Sequence, residues 1–92
     1  MWILEYTFEE EGMFHDFTSK KHIIKKWNKK PDLIEVLSTI YKNNKKDYEE
    51  IVSDETKFKN LFQGKDARVN YGYSYLKLFY REIKNYNEEE ME

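Results

Sequence analysis

The chain contains no cysteine, one proline, three glycines and a single alanine among its 92 residues. Without cysteine there is no disulfide, no thiolate nucleophile and no zinc–thiolate site, so packing alone must hold the fold. A length of 92 residues is enough for that, because a domain of this size buries roughly 60 to 65% of the surface that its unfolded chain exposes. Gly12, Gly64 and Gly72 stand apart from one another, and neither GxxxxGK nor GxGxxG can be traced through them, which excludes a glycine-rich phosphate loop. Long hydrophobic runs are also missing. The N-terminal run of Trp2, Ile3 and Leu4 stops at Glu5, too short for a signal sequence, and no other stretch approaches a membrane span. The expectation is a cytoplasmic protein without a membrane partner, residing in the host cytoplasm if its source is viral.

Catalytic and metal-ligating patterns are equally scarce. His15 beside Asp16, with His22 seven residues on, is the only grouping that hints at such chemistry. A general base needs a pocket beside it and a metal needs three or four ligands at fixed geometry, yet no HExxH or paired-histidine helix occurs. The reading is therefore a non-enzyme with no cofactor and no metal, its histidines lying on the surface or in a hairpin.

What the chain does have is aromatic residues and segregated charge. Only 39% of its residues are hydrophobic but 17% are aromatic, so a few large rings must supply the core. Lysine outnumbers arginine 14 to 2, and asparagine and isoleucine occur seven times each, a usage typical of translation from AT-rich coding sequence. The formal charge of −2 conceals blocks: residues 1–16 hold five acids and no Lys or Arg, residues 17–31 hold six lysines and no acid, and residues 88–92 hold four acids. Separate acidic and basic surfaces are expected.

Trp2, Leu4, Tyr6 and Phe8 alternate with Ile3, Glu5 and Thr7, the period of a half-buried strand. A turn at Glu9–Gly12 and a return strand over Met13–Phe17 complete an expected hairpin; a loop of two or four residues puts His15 and Phe17 on the face of Tyr6 and Leu4, a three-residue loop Phe14 and Asp16, and the apolar count favours the former. Thr18 or Ser19 then caps an expected helix whose narrow apolar stripe is Ile23, Ile24 and Trp27, ended by Asn28 and Pro31. Asp32 with Glu35 reads as a capping box ahead of Leu33, Val36, Leu37, Ile40 and Tyr41, the clearest helical stripe in the chain. Asn43–Lys46 reads as a loop, and Asp47 with Glu50 repeats the capping pattern before Tyr48, Ile51, Val52, Phe58, Leu61 and Phe62. Most of these fall on one stripe of a single helix ending near Gly64, but Glu55 interrupts that stripe and Ser53-Asp54 offers a second N-cap, so two short helices with a break at Ser53 are favoured over one.

The densest stretch is RVNYGYSYLKLFYREIKNY, from Arg68 to Tyr86, with five of the eight tyrosines. Val69, Tyr71, Tyr73 and Tyr75 alternate as one strand, expected to pair with the N-terminal hairpin and to reach at least Leu78. Beyond Tyr75, Leu76, Phe79, Tyr80 and Ile83 also fit a helical period. The order of elements makes the fold class α+β: a small antiparallel sheet, the N-terminal hairpin plus a C-terminal strand, covered by three to four short helices. One domain is expected over residues 1–87, followed by a mobile acidic tail over 88–92.

Two kinds of partner follow. A protein partner is favoured, contacted by Tyr80, Tyr86, Lys77, Arg81 and Lys84 at the end of the Tyr-rich stretch and by Glu9, Glu10 and Glu11, because Tyr anchors interfaces and charge selects partners. The alternative is nucleic acid, contacted by Lys20, Lys21, Lys25, Lys26 and Lys29 on the lysine-rich helix. Arg68 and the C-terminal basic residues would add charge there, and Tyr71, Tyr73 or Tyr75 would stack on bases. In size, usage and patchy charge the chain is similar to the small accessory proteins of phages and other mobile elements, anti-CRISPR proteins among them. That resemblance implies a protein that binds and inhibits a host protein.

Overall fold

A computed structural model describes residues 1–11 and 17–83. Four strands and three helices follow in the order β1 (Trp2–Glu11), β2 (Phe17–Trp27), α1 (Leu33–Asn43), α2 (Lys45–Ser53), α3 (Glu55–Phe62), β3 (Ala67–Tyr71) and β4 (Ser74–Glu82). The strands form one antiparallel sheet in the spatial order β2-β1-β4-β3, so the first and last strands lie together at its centre.

The alternation in β1 sorts its side chains as the sequence implies. Leu4 is fully buried under the helices, with Trp2, Tyr6 and Phe8 packed beside it, while Ile3, Glu5 and Thr7 point to the opposite face. Directly paired residues share a face, and the register sets Leu4 opposite Tyr80, Tyr6 opposite Leu78 and Phe8 opposite Leu76. Val69 and Ala67 of β3 face Leu76 and Leu78 in turn. The other half of the core comes from Val36 and Ile40 of α1, Ile51 of α2 and Leu61 of α3.

The lysine-rich segment is a strand, not a helix. Ile24 and Trp27 are three residues apart, which imitates a helical stripe, but a register shift at Leu4/Glu5 inserts one extra residue into β2. Leu4 pairs with Lys25 and Glu5 with Ile23, so the phase of the alternation flips and both Ile24 and Trp27 pack on the core side. β-branched Ile23 and Ile24 with Trp27 suit a pleated surface, and the lysines lie along an edge strand, where they discourage pairing with another chain.

The first hairpin is also longer than expected. Pairing continues to Glu11 opposite Phe17, with five residues between them, so Tyr6 faces His22 rather than His15 or Phe17. The expected turn glycine, Gly12, and His15 lie outside the described residues, as do Lys84, Tyr86 and the acidic tail.

The Tyr-rich stretch divides at Gly72. This residue has a φ of 69°, a conformation that favours glycine, and with Tyr73 it makes a two-residue turn between Tyr71 and its partner Ser74. The stretch is therefore a second hairpin rather than one strand; its return arm continues to Glu82, with Leu76, Leu78 and Tyr80 on the core side. Tyr73 is left 94% exposed at the tip.

Three helices cover one face, each started by a side-chain cap. Asp32 accepts from the Glu35 N–H at 2.8 Å, and Asp54 accepts from the Thr56 and Lys57 N–H groups at 3.0 and 3.1 Å. The break at Ser53-Asp54 is thus present, and the described residues hold three helices. The α1–α2 connection is the single residue Asn44, whose extended backbone ends one helix while its side chain caps the next through Lys46 and Asp47. Asp47, expected as that cap, sits inside α2 and is buried.

The α1 stripe is only partly core. Val36 and Ile40 are fully buried, whereas Leu33 and Tyr41 remain about half exposed and Ile34 is 77% exposed. Ile40→Ala is expected to cost about 2 to 5 kcal/mol in chemical denaturation, and Ile34→Ala less than about 0.5 kcal/mol; equal losses would show that the sheet contacts a different side of α1.

Candidate functional site

The core closes at one end around a ring cluster. Tyr80 stacks on Trp2 at 5.1 Å between centroids and meets Phe62 and Trp27 edge-on at 5.6 and 6.3 Å. Only 5% of Tyr80 is exposed, so the expectation of a surface tyrosine for a partner is corrected: its place on the core face of β4 makes it a hub joining both hairpins to α3. Burial pushes its hydroxyl pKa up. Beside it lies a cavity of about 380 Å³ lined chiefly by Trp2, Leu33, Val36, Phe58, Phe62 and Tyr80. At its rim the Lys30 ammonium stands 5.2 Å from the Trp2 ring.

Further round α1, Ile34, Leu37, Tyr41 and Tyr48 line a second, more open groove of about 340 Å³. Tyr41 and Tyr48 hold each other edge-on at 5.2 Å, and Val52 extends the apolar surface along α2 with 42% exposure. The helix carries more apolar residues than the sheet can cover, and the surplus faces solvent. Glu35 fixes α1 to β2: its carboxylate accepts from Lys25 Nζ at 2.8 Å and from Trp27 Nε1 at 3.3 Å, contacts that hold its pKa below the usual carboxylate range.

Among the described residues the second sheet face carries no helix, and ion pairs lie across it beside Ile3, Ile23 and Phe79. Glu5, 3% exposed, receives Arg81 at 2.9 Å and Lys21 at 3.3 Å. Glu9 accepts from the Tyr75 hydroxyl, a bond that raises the tyrosine's pKa, and lies 3.7 Å from Lys77. The Arg68 guanidinium lies 3.8 Å over the Tyr75 ring.

These positions redistribute the residues singled out from sequence. Lys77 and Arg81 come together on the open face, but both are paired with acids, and Glu9 is engaged there rather than free. Glu10 is exposed next to it. The lysines do not form one basic helix surface. Lys21 and Lys26 lie on the open face, Lys20 and Lys25 sit on the helix side opposite Phe8 and Leu4, and Lys29 is exposed in the connection to α1. Tyr71 faces the helices and Tyr75 the open side, because the turn at Gly72 puts them on different strands. His22 stacks on Tyr6 at 5.0 Å. Among the described residues no cluster of three or more His, Asp or Glu is placed to hold a metal ion, and no helix is long and apolar enough to cross a membrane.

One polar pair is enclosed. Asp47, 1% exposed, accepts from the Tyr71 hydroxyl through Oδ1, and its Oδ2 is buried with no hydrogen-bond partner among the described residues. The Lys46 ammonium covers the Tyr71 ring at 3.8 Å. Burial raises the Asp47 pKa, opposed by the Tyr71 hydrogen bond and the Lys46 charge. The spacing of Asp47 and Tyr71, 24 residues apart, carries no signal in the sequence; only the packing of α2 on β3 creates it.

No family model matches the chain, and no similar protein is found among the curated proteins or the solved structures. Fold and surface together define a small α+β domain of two layers, with an apolar outer helix surface on one side and a charged, ring-bearing sheet face on the other.

A raised carboxyl pKa favours folding below the ordinary aspartate range of about 3.9, and that contribution is lost as pH rises through the folded-state value. The stability of the wild type relative to Asp47→Asn is therefore expected to fall as pH is raised through that value. Tyr71→Phe removes the donor to the ionised carboxylate and is expected to cost about 1 to 3 kcal/mol at pH 7. Urea titrations of the three proteins from acid to neutral pH check both; parallel pH profiles for wild type and Asp47→Asn would count against an enclosed, titrating Asp47.

Proposed function

We propose that the chain is a non-catalytic module that binds another protein along the outer surface of α1. The observation that supports this most directly is the 77% exposure of Ile34, flanked by the half-exposed Leu33 and Tyr41 on the same helix. Contiguous apolar surface rimmed by charge is a mark of an interaction site in a soluble domain. Here it has relief as well: the ring-lined cavity on the Leu33 side and the tyrosine groove on the Leu37 side are both formed in part by α1. A partner that inserts one apolar side chain on each side of the helix would desolvate the rings most completely. Anchors of that kind, Tyr and Trp foremost, carry most of the energy in protein interfaces.

Such a module acts by occupying its partner's surface. The small size and lysine-, asparagine- and isoleucine-rich usage fit an accessory protein of a phage or other mobile element that inhibits a host protein in the cytoplasm. The contact residues are those of α1 and α2 rather than Tyr80, whose ring is committed to the core.

A photo-crosslinking phenylalanine analogue placed at Ile34 is expected to give one discrete adduct in the cells that naturally carry the chain, and the same analogue at the exposed Lys59 of α3 none. Once the partner is identified from that adduct, Tyr41→Ala is expected to weaken binding by about 2 kcal/mol, roughly thirtyfold. Identical adducts from both positions, or a dimer of the chain itself as the sole product at Ile34, would overturn the reading.

A further inference from the structure

The open sheet face has a pattern that protein binding through α1 does not use. Along β4 the residues on this face are Tyr75, Lys77, Phe79 and Arg81, so ring and cation alternate, each about 6.8 Å from the next. Across the sheet, Lys77 stands level with Lys21 on one side and Arg68 on the other, through Thr7. Arg81 stands level with Lys26 through Ile3. Two rows rich in cations thus flank the row that carries Phe79.

The acids that neutralise this face lie beneath its cations. The Glu5 side chain is 4% exposed and that of Glu9 22%, against 59% for Lys21, 47% for Arg81 and 31% for Lys77. A ligand approaching from solvent meets guanidinium and ammonium groups first. The carboxylates below hold those groups in place, so less side-chain freedom is lost when an anion arrives. The Arg68 guanidinium, parked over the Tyr75 ring at 3.8 Å, adds a flat cationic plate on which a base can stack.

We propose that this face binds single-stranded nucleic acid, its phosphates running along the cation rows and its bases stacking on Phe79 and on the Arg68–Tyr75 pair. Rings and cations interleaved on one strand match an unpaired strand, whose bases are free to stack, better than a duplex, whose bases are already stacked. An acidic protein segment would use the cations and leave the rings idle.

Fluorescence anisotropy with a labelled twelve-nucleotide oligo(dT) tests the proposal, with the same sequence as a duplex, heparin and poly-glutamate as competitors. Neutralisation of three to five phosphates predicts that affinity for the single strand falls about 20- to 100-fold between roughly 50 and 200 mM salt, from a slope of about −0.7 per phosphate. Lys77→Gln or Arg81→Gln is expected to make that slope shallower by about 0.7. Phe79→Leu, which keeps an apolar side chain but removes the ring, is expected to weaken binding about five- to a hundredfold. Tyr75→Leu serves as a second ring variant should Phe79→Leu melt at a lower temperature, and Lys59→Gln on α3 is expected to leave affinity unchanged. Absence of binding at low salt overturns the proposal. So does equal competition by heparin and poly-glutamate with no effect of either ring variant, which would assign the face to acidic polymers in general.

Discussion

The pairing of β1 with β4 is the contact on which everything else rests. It joins opposite ends of the described chain, from Trp2 with Glu82 to Glu10 with Ser74, setting Leu4 against Tyr80 and Ile3 against Arg81. Neither hairpin alone has enough apolar surface to stand by itself, since a two-stranded ribbon is marginal in water. Brought edge to edge, they make a four-stranded sheet whose inner face is continuous enough to receive three helices. The same pairing makes the Trp2–Tyr80 stack and brings Glu5 to Arg81, so the core and the charged face are consequences of one register. A slip of one residue would exchange the two faces and expose the whole apolar set.

That register also explains how so aromatic and so polar a chain forms a core. Among the described residues the ten buried members of the core cluster are mostly aliphatic, from Leu4 and Val36 to Leu78, not the large rings that the composition led one to expect, and the rings of Trp2, Trp27, Phe58 and Phe62 close its margins. Large side chains at a margin are never wholly covered, which leaves a cavity beside Tyr80 and a groove beside Tyr41. Both proposed surfaces arise from this economy. The helices carry more apolar residues than one sheet face can bury, and the other sheet face, which receives no helix among the described residues, carries ion pairs to the buried Glu5 and the partly buried Glu9.

Charge follows the same geometry. The lysine block of residues 17–31 looks uniform in sequence, yet a strand sends alternate residues to opposite sides. Lys21 therefore meets Glu5, Lys25 meets Glu35 on α1, and Lys30 reaches the Trp2 ring. The N-terminal acids draw on more than this block: Glu5 on β1 pairs with Lys21 of β2 but also with Arg81 of β4, and Glu9 pairs with Lys77 of β4. On the helix-covered side, Asp47 is the exception, a carboxylate enclosed with a tyrosine donor and one oxygen that has no hydrogen-bond partner among the described residues.

Local chemistry decided a good part of this protein in advance. Alternation in β1, the Asp32 and Asp54 caps, the break at Ser53-Asp54 and the α+β order are short-range effects written in neighbouring residues. Three matters lay beyond them. The state of residues 17–27 depended on a bulge, and a bulged strand spaces its buried residues as a helix does, so Ile24 and Trp27 point two ways until β1 is placed beside them. The fate of Tyr71, Tyr73, Tyr75 and Tyr80 depended on where the chain reversed. One turn at Gly72 sent them respectively to Asp47, to solvent, to Glu9 and to the core. The candidate surfaces depended on which side of α1 and which side of the sheet remained uncovered, and exposure belongs to the assembled layers rather than to any segment. Period and capping act over a few residues; register, burial and the meeting of Glu5 with Arg81 act across the whole chain, and only the tertiary structure resolves them.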